Sequence, residues 1–240
     1  MLFRSKIATQ HTVNTFYRQV DDLLPARAAQ PQLLLIASPW GSPFVGQPYP
    51  FLINDHGPNA HTLYAADTGA DSYLVQLAHP ERAALRIQPP PPDLPHAPKS
   101  HVRGTVVPLG LARGQRVCID ATLQPAAAGR VLTSFLTVGG RTVSRPAISE
   151  TSGIAAHSSW SVSPRDLHAG PQLVTVGFTA GAAERWEQRL SAGPVVASTA
   201  AASIAVQAPG RAWHLSNPSR PTWQEADPAG PLRVSVRNCA

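Results

Sequence analysis

The segment from Val131 to Val206 constrains the fold more than any other part of the chain, because its short apolar runs alternate with polar residues and end at Gly or Pro. Around Leu173, the side chains of Val174, Val176 and Phe178 lie on one side of an extended chain and the residues between them on the other. This period of two is typical of strands that are buried on one face. The segment therefore predicts an antiparallel β-sandwich.

Composition supports a folded, mainly β protein. The chain has 240 residues, of which 43% are hydrophobic and 14% charged, and this balance favours a buried core over disorder. Its 25 prolines and 17 glycines disfavour long helices, since proline removes a backbone donor and glycine weakens regular elements. We therefore expect many short strands joined by turns.

The net charge of +6 comes almost entirely from arginine, because Lys6 and Lys99 are the only lysines. The arginines are scattered and form no basic run, so nucleic acid is not an expected partner. The longest aliphatic run, Leu33–Ile36, is too short to span a membrane. Cys118 and Cys239 favour two free thiols in a protein made in a cytoplasm, and a single bridge from the C-terminus to the sandwich is the alternative.

The N-terminal region, residues 1–88, is predicted to contain one helix and a smaller β region. Val13, Phe16, Tyr17, Val20 and Leu24 share one helical face, and Pro25 ends the helix. The candidate strands of this region are Gln32–Ala37, Pro50–Ile53, Thr62–Ala66, Ser72–Leu77 and Ala83–Ile87. Residues 89–100 contain four consecutive prolines and are expected to form an extended linker.

The C-terminal region is predicted to be a sandwich over residues 101–208, followed by a Pro-rich tail with a final strand over 209–240. Its candidate strands are Gly104–Leu109, Arg116–Leu123, Val131–Val138, Thr142–Ser144, Ser158–Ser163, Gln172–Thr179, Ala201–Gln207 and Leu232–Val236. Eight strands are the number that a jelly roll requires. The polar Glu184–Arg189 stretch could form a helix instead of a strand.

Several runs in this region resemble the β-sandwich modules of bacteriophage tail-fibre, spike and head-decoration proteins. They are Thr133–Gly140, Ser158-Ser-Trp160, Leu167-His-Ala-Gly-Pro171, Leu173–Phe178 and Ala201–Gln207, within residues 101–208. The resemblance implies a structural virion protein, made in a host cytoplasm, that forms a homo-oligomer, contacts other subunits and could touch a surface glycan. A free-standing carbohydrate-binding module is a second alternative.

One motif indicates a different class of protein. His61-Thr-Leu-Tyr-Ala-Ala-Asp-Thr-Gly-Ala70 resembles the active-site segment of retroviral-type aspartic proteases. That resemblance implies that Asp67 is a catalytic carboxylate, that Thr68 and Gly69 brace its loop, and that a second Asp67 comes from a partner chain. The other interpretation is a turn at Asp67–Asp71 between two antiparallel strands.

Tryptophans are the remaining candidates for binding, because an exposed indole can stack on a sugar ring or anchor a protein contact. Trp160, Trp213 and Trp223 are predicted as ligand-binding residues. No motif for a nucleotide, a metal or a serine nucleophile is recognised, so we expect neither a cofactor nor a metal.

Overall fold

The computed structural model describes residues 30–37, 61–88, 105–124, 132–149, 155–181, 184–195, 203–208, 212–215, 223–225 and 231–239. The chain divides into two compact units, one formed by residues 1–68 and 75–108 and the other by 69–74 and 109–240. The division falls after Pro108, beyond the predicted linker. The predicted helix over Val13–Leu24, the strand Pro50–Ile53 and the linker lie outside the described residues.

The first unit contains a four-stranded sheet. Its strands are β1 (Gln32–Ala37), β2 (Thr62–Asp67), β3 (Ala83–Gln88) and β4 (Thr105–Pro108). They lie in the order β2-β1-β3-β4, with β2 and β3 parallel to β1 and β4 antiparallel to β3. The apolar run Leu33–Ile36 is buried on both faces, as expected for the central strand of a parallel sheet.

A short helix, α1 (Ser72–Ala78), stands where the sequence predicted a strand over Ser72–Leu77. Tyr73 and Gln76 are buried three residues apart while Leu74 is exposed, which is a helical rather than a strand period. The prediction was wrong because seven residues are too few to distinguish the two periods. The interpretation of Asp67–Asp71 as a turn between antiparallel strands is also wrong, since β2 leads into a helix and β3 runs parallel to β2.

The second unit contains two sheets whose inward residues form one core. The smaller sheet has the order β16-β6-β10-β9, formed by β6 (Val117–Leu123), β9 (Ile148–Ser149), β10 (Ala156–Val162) and β16 (Leu232–Asn238). The larger sheet contains β5 (Gly110–Gly114), β7 (Leu132–Val138), β8 (Arg141–Pro146), β11 (Gln172–Ala180), β12 (Glu184–Val195), β13 (Ser203–Ala208), β14 (Ala212–Leu215) and β15 (Trp223–Glu225).

The expectation of a mainly β fold is confirmed. The described strands do not form the predicted jelly roll. A jelly roll pairs two four-stranded sheets, whereas here sheets of four and eight strands face each other. All pairings between strands of the second unit are antiparallel among the described residues. The segment after 208, predicted as a tail, supplies β14 and β15 to the larger sheet and β16 to the smaller.

The longest strand, β12, covers the stretch for which a helix was the alternative. Trp186 packs against the core, and Leu190 is buried within it. Between them Glu187 accepts from Arg185 at 3.0 Å and from Arg189 at 3.1 Å, on the other face of the strand. The period is therefore two, and the acidic and basic residues that suggested a helix pair along one side of a strand.

None of the described helices has the length and apolarity to cross a membrane.

Candidate functional site

Asp67, the residue that resembles a protease aspartate, forms a buried ion pair. It is the last residue of β2, and its Oδ2 lies 2.8 Å from Nε of Arg86 on β3. A second contact joins Oδ1 to Nη2 of Arg86 at 3.4 Å. Only 7% of the Asp67 side chain and 6% of the Arg86 side chain are exposed. The guanidinium thus approaches both carboxylate oxygens inside the first unit.

This environment differs from the one that the protease hypothesis requires. In an aspartic protease two carboxylates lie so close that they share one proton. The described neighbour of Asp67 is instead a cation held at ion-pair distance. The arrangement favours a structural role for this carboxylate.

The two residues after Asp67 lead the chain out of the sheet. Thr68 lies between β2 and a short 3-10 turn at Gly69–Asp71, and Gly69 has a φ of +76°. A positive φ at this point strains any side chain with a Cβ atom, so glycine suits the position. Gly69 thus has a conformational role in directing the chain into α1.

The segment Gly69–Leu74 packs on β12 and β13 of the second unit, to which it belongs. The Ser191 hydroxyl donates to the carbonyl oxygen of Ala70 at 2.6 Å and accepts from the backbone N–H of Tyr73 at 3.2 Å. Nε2 of Gln207 donates to the carbonyl oxygen of Ser72 at 3.4 Å. Buried Ser191 and Gln207 therefore satisfy backbone groups of this segment, as buried polar groups must be satisfied.

Tyr73 is the side chain that anchors this segment. It is 1% exposed, and a Cβ atom at Gly193 would lie 2.1 Å from its hydroxyl oxygen. The hydroxyl donates to the carbonyl oxygen of Pro194 at 3.5 Å. Burial, together with the nearby charge of Asp71, raises the pKa of Tyr73 above its usual value of 10.0. Gly193 is required here because only a residue without a side chain leaves room for the phenol ring.

Trp160, predicted as a ligand-binding residue, lies in the core of the second unit. Its side chain is mostly buried, at 8% exposure for the residue, and its Nε1 donates to the Ser158 hydroxyl at 3.1 Å. The guanidinium carbon of Arg145 lies 4.0 Å from the ring centroid. Arg145 also donates to the carbonyl oxygen of Ser159. The prediction needs an open indole face, and here Arg145 covers that face.

Trp213 and Trp223, the other two predicted ligand-binding residues, lie on adjacent strands β14 and β15. The register places Trp213 opposite Glu187 of β12 and Glu225 of β15, and Trp223 opposite Leu215. The structure does not bring these two residues together with Trp160, which lies in the other sheet. They remain predicted binding residues.

The smaller sheet has an outward face that the sequence analysis did not select, and we call it the polar face. Across the sheet it consists of the rows His157–Thr122–Arg233, Ser159–Asp120–Ser235 and Ser161–Cys118–Arg237. Residues directly opposite each other share a face, and alternate residues of β6 are buried in the core. All nine residues are at least partly accessible.

Two side-chain pairs on the polar face connect neighbouring strands. Nε of Arg237 lies 2.8 Å from Oδ2 of Asp120, and the Thr122 hydroxyl lies 3.0 Å from Nδ1 of His157. Arg233 lies exposed at the end of its row. Alternation within β6 and β16 could have indicated which residues point outward, but only strand pairing reveals that they form one surface.

A disulfide closes this face at one end. Cys118 of β6 is bonded to Cys239, which follows β16, and the backbone N–H of Cys239 donates to the carbonyl oxygen of Arg116 at 3.1 Å. The expectation of two free thiols was therefore wrong. A sequence separation of 121 residues hid the proximity of the two cysteines, because they meet only when β16 pairs with β6.

Comparison with known proteins adds a family and no function. No curated protein and no solved structure matches this chain. A family model matches residues 32–211, which include most of both units and exclude β14, β15 and β16. The match covers well over half of the chain, and the chain therefore belongs to the family described as Domain of unknown function (DUF7846).

Proposed function

We propose that this protein is a non-catalytic attachment module that works in an oxidising environment, where its sandwich contacts glycans on a surface. The observation on which this proposal rests most directly is the Cys118–Cys239 disulfide. Disulfides persist in secreted, periplasmic and surface-displayed proteins and are rare in a reducing cytosol. The bond fixes the end of the last strand to β6, which suits a module that must keep its surface intact outside the cell.

The surroundings of Asp67 support the non-catalytic part of the proposal. The carboxylate pairs with a buried arginine, and the segment after it binds the sandwich strands through Ser191 and Tyr73. Asp67 and Ala70 of the motif thus have the structural partners Arg86 and Ser191. For that reason we prefer an attachment role to an aspartic protease.

A virus particle is one setting that fits this proposal. The resemblance of residues 101–208 to phage tail, spike and decoration modules leads to the hypothesis that the surface is that of a virion and that the chain assembles as a homo-oligomer. Virion surfaces are among the oxidising settings in which disulfides persist. Light scattering on the purified chain at several concentrations tests the assembly hypothesis: a closed symmetric oligomer supports it, and a monomer throughout contradicts it.

The disulfide and the binding activity can be tested on one preparation. The full chain is exported to an oxidising compartment, alkylated under denaturing conditions and weighed by mass spectrometry. We expect no alkylation without reductant and two alkylated sites after reduction. A native portion of the same preparation is applied to a glycan array, where we expect binding.

Three variants make this test specific. Cys118→Ser and Cys239→Ser should each lower stability by about 2–4 kcal/mol, and the double variant should lose no more than either single variant because all three lack the same bond. Free thiols in the exported wild type would contradict the oxidising setting. Peptide hydrolysis that disappears in Asp67→Asn would contradict the non-catalytic role.

A further inference from the structure

Arginines from distant parts of the sequence lie on the polar face and at its margin. Arg233 and Arg237 lie on β16, and Arg116 precedes β6 at the disulfide end of the face. Arg145 reaches the opposite margin, where it donates to the carbonyl oxygen of Ser159. Asp120 is the one acidic residue in the three rows, and Arg237 is its partner. The three rows together with Arg116 and Arg145 therefore contain four arginines and one carboxylate.

The arginines of β16 are held at a fixed separation. Arg233 and Arg237 are four residues apart on one strand, which places them about 13 Å apart along the sheet. The pairing of Arg237 with Asp120 and the disulfide at Cys239 restrain this strand. A backbone that is ordered before binding loses little conformational entropy when a ligand binds.

Hydroxyl side chains lie among the charged residues of the polar face. Ser159, Ser161 and Ser235 are exposed, and Thr122 lies in the row between His157 and Arg233. Hydroxyl groups both donate and accept hydrogen bonds, as the hydroxyls of a sugar do. Guanidinium groups bind carboxylates and sulfates through paired N–H donors. The combination fits a ligand that has sugar hydroxyls and acidic groups in repetition.

We infer that the polar face binds an anionic glycan, a polysaccharide with carboxylate or sulfate groups. This inference rests on the proposed attachment function and names its ligand and its surface. Among the described positions of the three rows none is Phe, Tyr or Trp, whereas proteins that bind single-stranded nucleic acids commonly stack bases on such residues. The chemistry of the face thus favours an acidic glycan over a nucleic acid.

The test compares two doubly substituted chains that lose the same charge. The first is Arg233→Gln with Arg237→Gln on the polar face. The second is Arg113→Gln with Arg141→Gln, two exposed arginines on strands of the larger sheet. The probes are polygalacturonate, dextran sulfate, neutral dextran and single-stranded DNA of similar length. Binding is measured by interferometry at two salt concentrations, and melting curves verify that both variants are folded.

We expect the wild type to bind polygalacturonate, dextran sulfate or both, with weaker binding at higher salt because screening reduces exposed charge contacts. The polar-face variant should bind about tenfold more weakly and the control variant within about twofold of the wild type. Preference between the two charged probes identifies the acidic group as carboxylate or sulfate.

The other outcomes distinguish failure of this inference from failure of the proposed function. Equal losses in the two variants would mean that overall charge alone drives binding, and would overturn the inference. Equal or tighter binding of DNA would overturn it too. Binding of neutral dextran that the polar-face variant retains would contradict the anionic ligand while leaving a glycan-binding function in place. No binding to these polysaccharides or to the glycan array would contradict both.

Discussion

Two ion pairs, one in each unit, have the same contact distance and opposite surroundings. Asp67–Arg86 in the first unit and Asp120–Arg237 in the second both place an arginine Nε 2.8 Å from a carboxylate oxygen. The side chains of the first pair are 7% and 6% exposed, whereas those of the second are 32% and 57% exposed. Burial makes the loss of one partner costly, because the other charge is left without water or a counterion. Exposure makes such a pair nearly neutral for stability.

The difference in exposure also determines which of the two arginines an anionic ligand can reach. The arginine of the buried pair is inaccessible and links β3 to β2 across β1. The arginine of the exposed pair can exchange its carboxylate for an anion from solution, at little cost in folding free energy. A motif that resembles a catalytic site thus has a structural environment, while residues without any motif form the accessible surface.

The largest expected effect comes from Asp67→Ala. Arg86 would remain buried without its counterion, and we expect a loss of about 3–5 kcal/mol in the unfolding free energy of the first unit. Hydrogen exchange of peptides from β1, β2 and β3 assigns the loss to this unit. The double variant Asp67→Leu with Arg86→Met should recover most of it. A single variant as stable as wild type would show that burial does not govern this pair.

The next largest effect is expected at a closely packed glycine in the second unit. At Gly177 of β11 a Cβ atom would lie 2.0 Å from the carbonyl oxygen of Trp186 and 2.9 Å from the Phe135 ring. We expect Gly177→Ala to cost about 1–3 kcal/mol in urea unfolding, because the neighbouring backbone must move.

Gly114→Ala is the matched control, since the nearest atom to its added Cβ would be 3.5 Å away. We expect the control to stay within about 0.5 kcal/mol of the wild type. Equal effects at the two glycines would refute the packing argument.

A smaller effect appears at alkaline pH. The pKa of Tyr73 is raised in the folded protein by burial and by the charge of Asp71, so the unfolded chain releases its proton first as pH increases. The stabilisation is complete below about pH 10 and is lost as pH rises through the folded pKa. Tyr73→Phe should cost no more than about 1 kcal/mol at pH 7 and should reduce the alkaline loss of stability. Melting curves from pH 7 to 11 measure both, and an unchanged alkaline slope in the variant would contradict the assignment.

The smallest effect is expected for Asp120→Asn, the exposed counterpart of the first substitution. Removal of an exposed partner should change the unfolding free energy by about 0–1 kcal/mol. It should also strengthen binding of dextran sulfate, because Arg237 loses its competing carboxylate. Destabilisation as large as that of Asp67→Ala would remove the distinction between the two pairs.

Strand periodicity predicted much of the second unit, and its errors have physical causes. The alternation in β6, β10 and β16 was strong enough to identify these strands, because each has one face in the core. In β12 the alternation was present, but the side turned away from the core carries Arg185, Glu187 and Arg189, which also suit a helix. In α1 seven residues gave a pattern that fits either period.

The candidate site was less predictable than the fold. The Asp67-Thr-Gly-Ala motif is contiguous and easily recognised, yet its environment depends on Arg86, which lies nineteen residues further along the chain on another strand. Trp160 was predicted as a ligand-binding residue, because nothing in the sequence shows that Arg145 lies over its ring. The polar face had no signature at all, since its three strands come from residues 117–123, 156–162 and 232–238.

The sequence by itself determined the local preferences of this protein: the mainly β class, most of the strands, and the glycine that turns the chain after β2. These follow from side-chain periodicity and backbone sterics, which act over a few neighbouring residues. Only the tertiary structure decided the partners, namely Arg86 for Asp67, Cys239 for Cys118, and β16 beside β6. Such pairings join residues up to 121 positions apart, and packing of the whole core selects them.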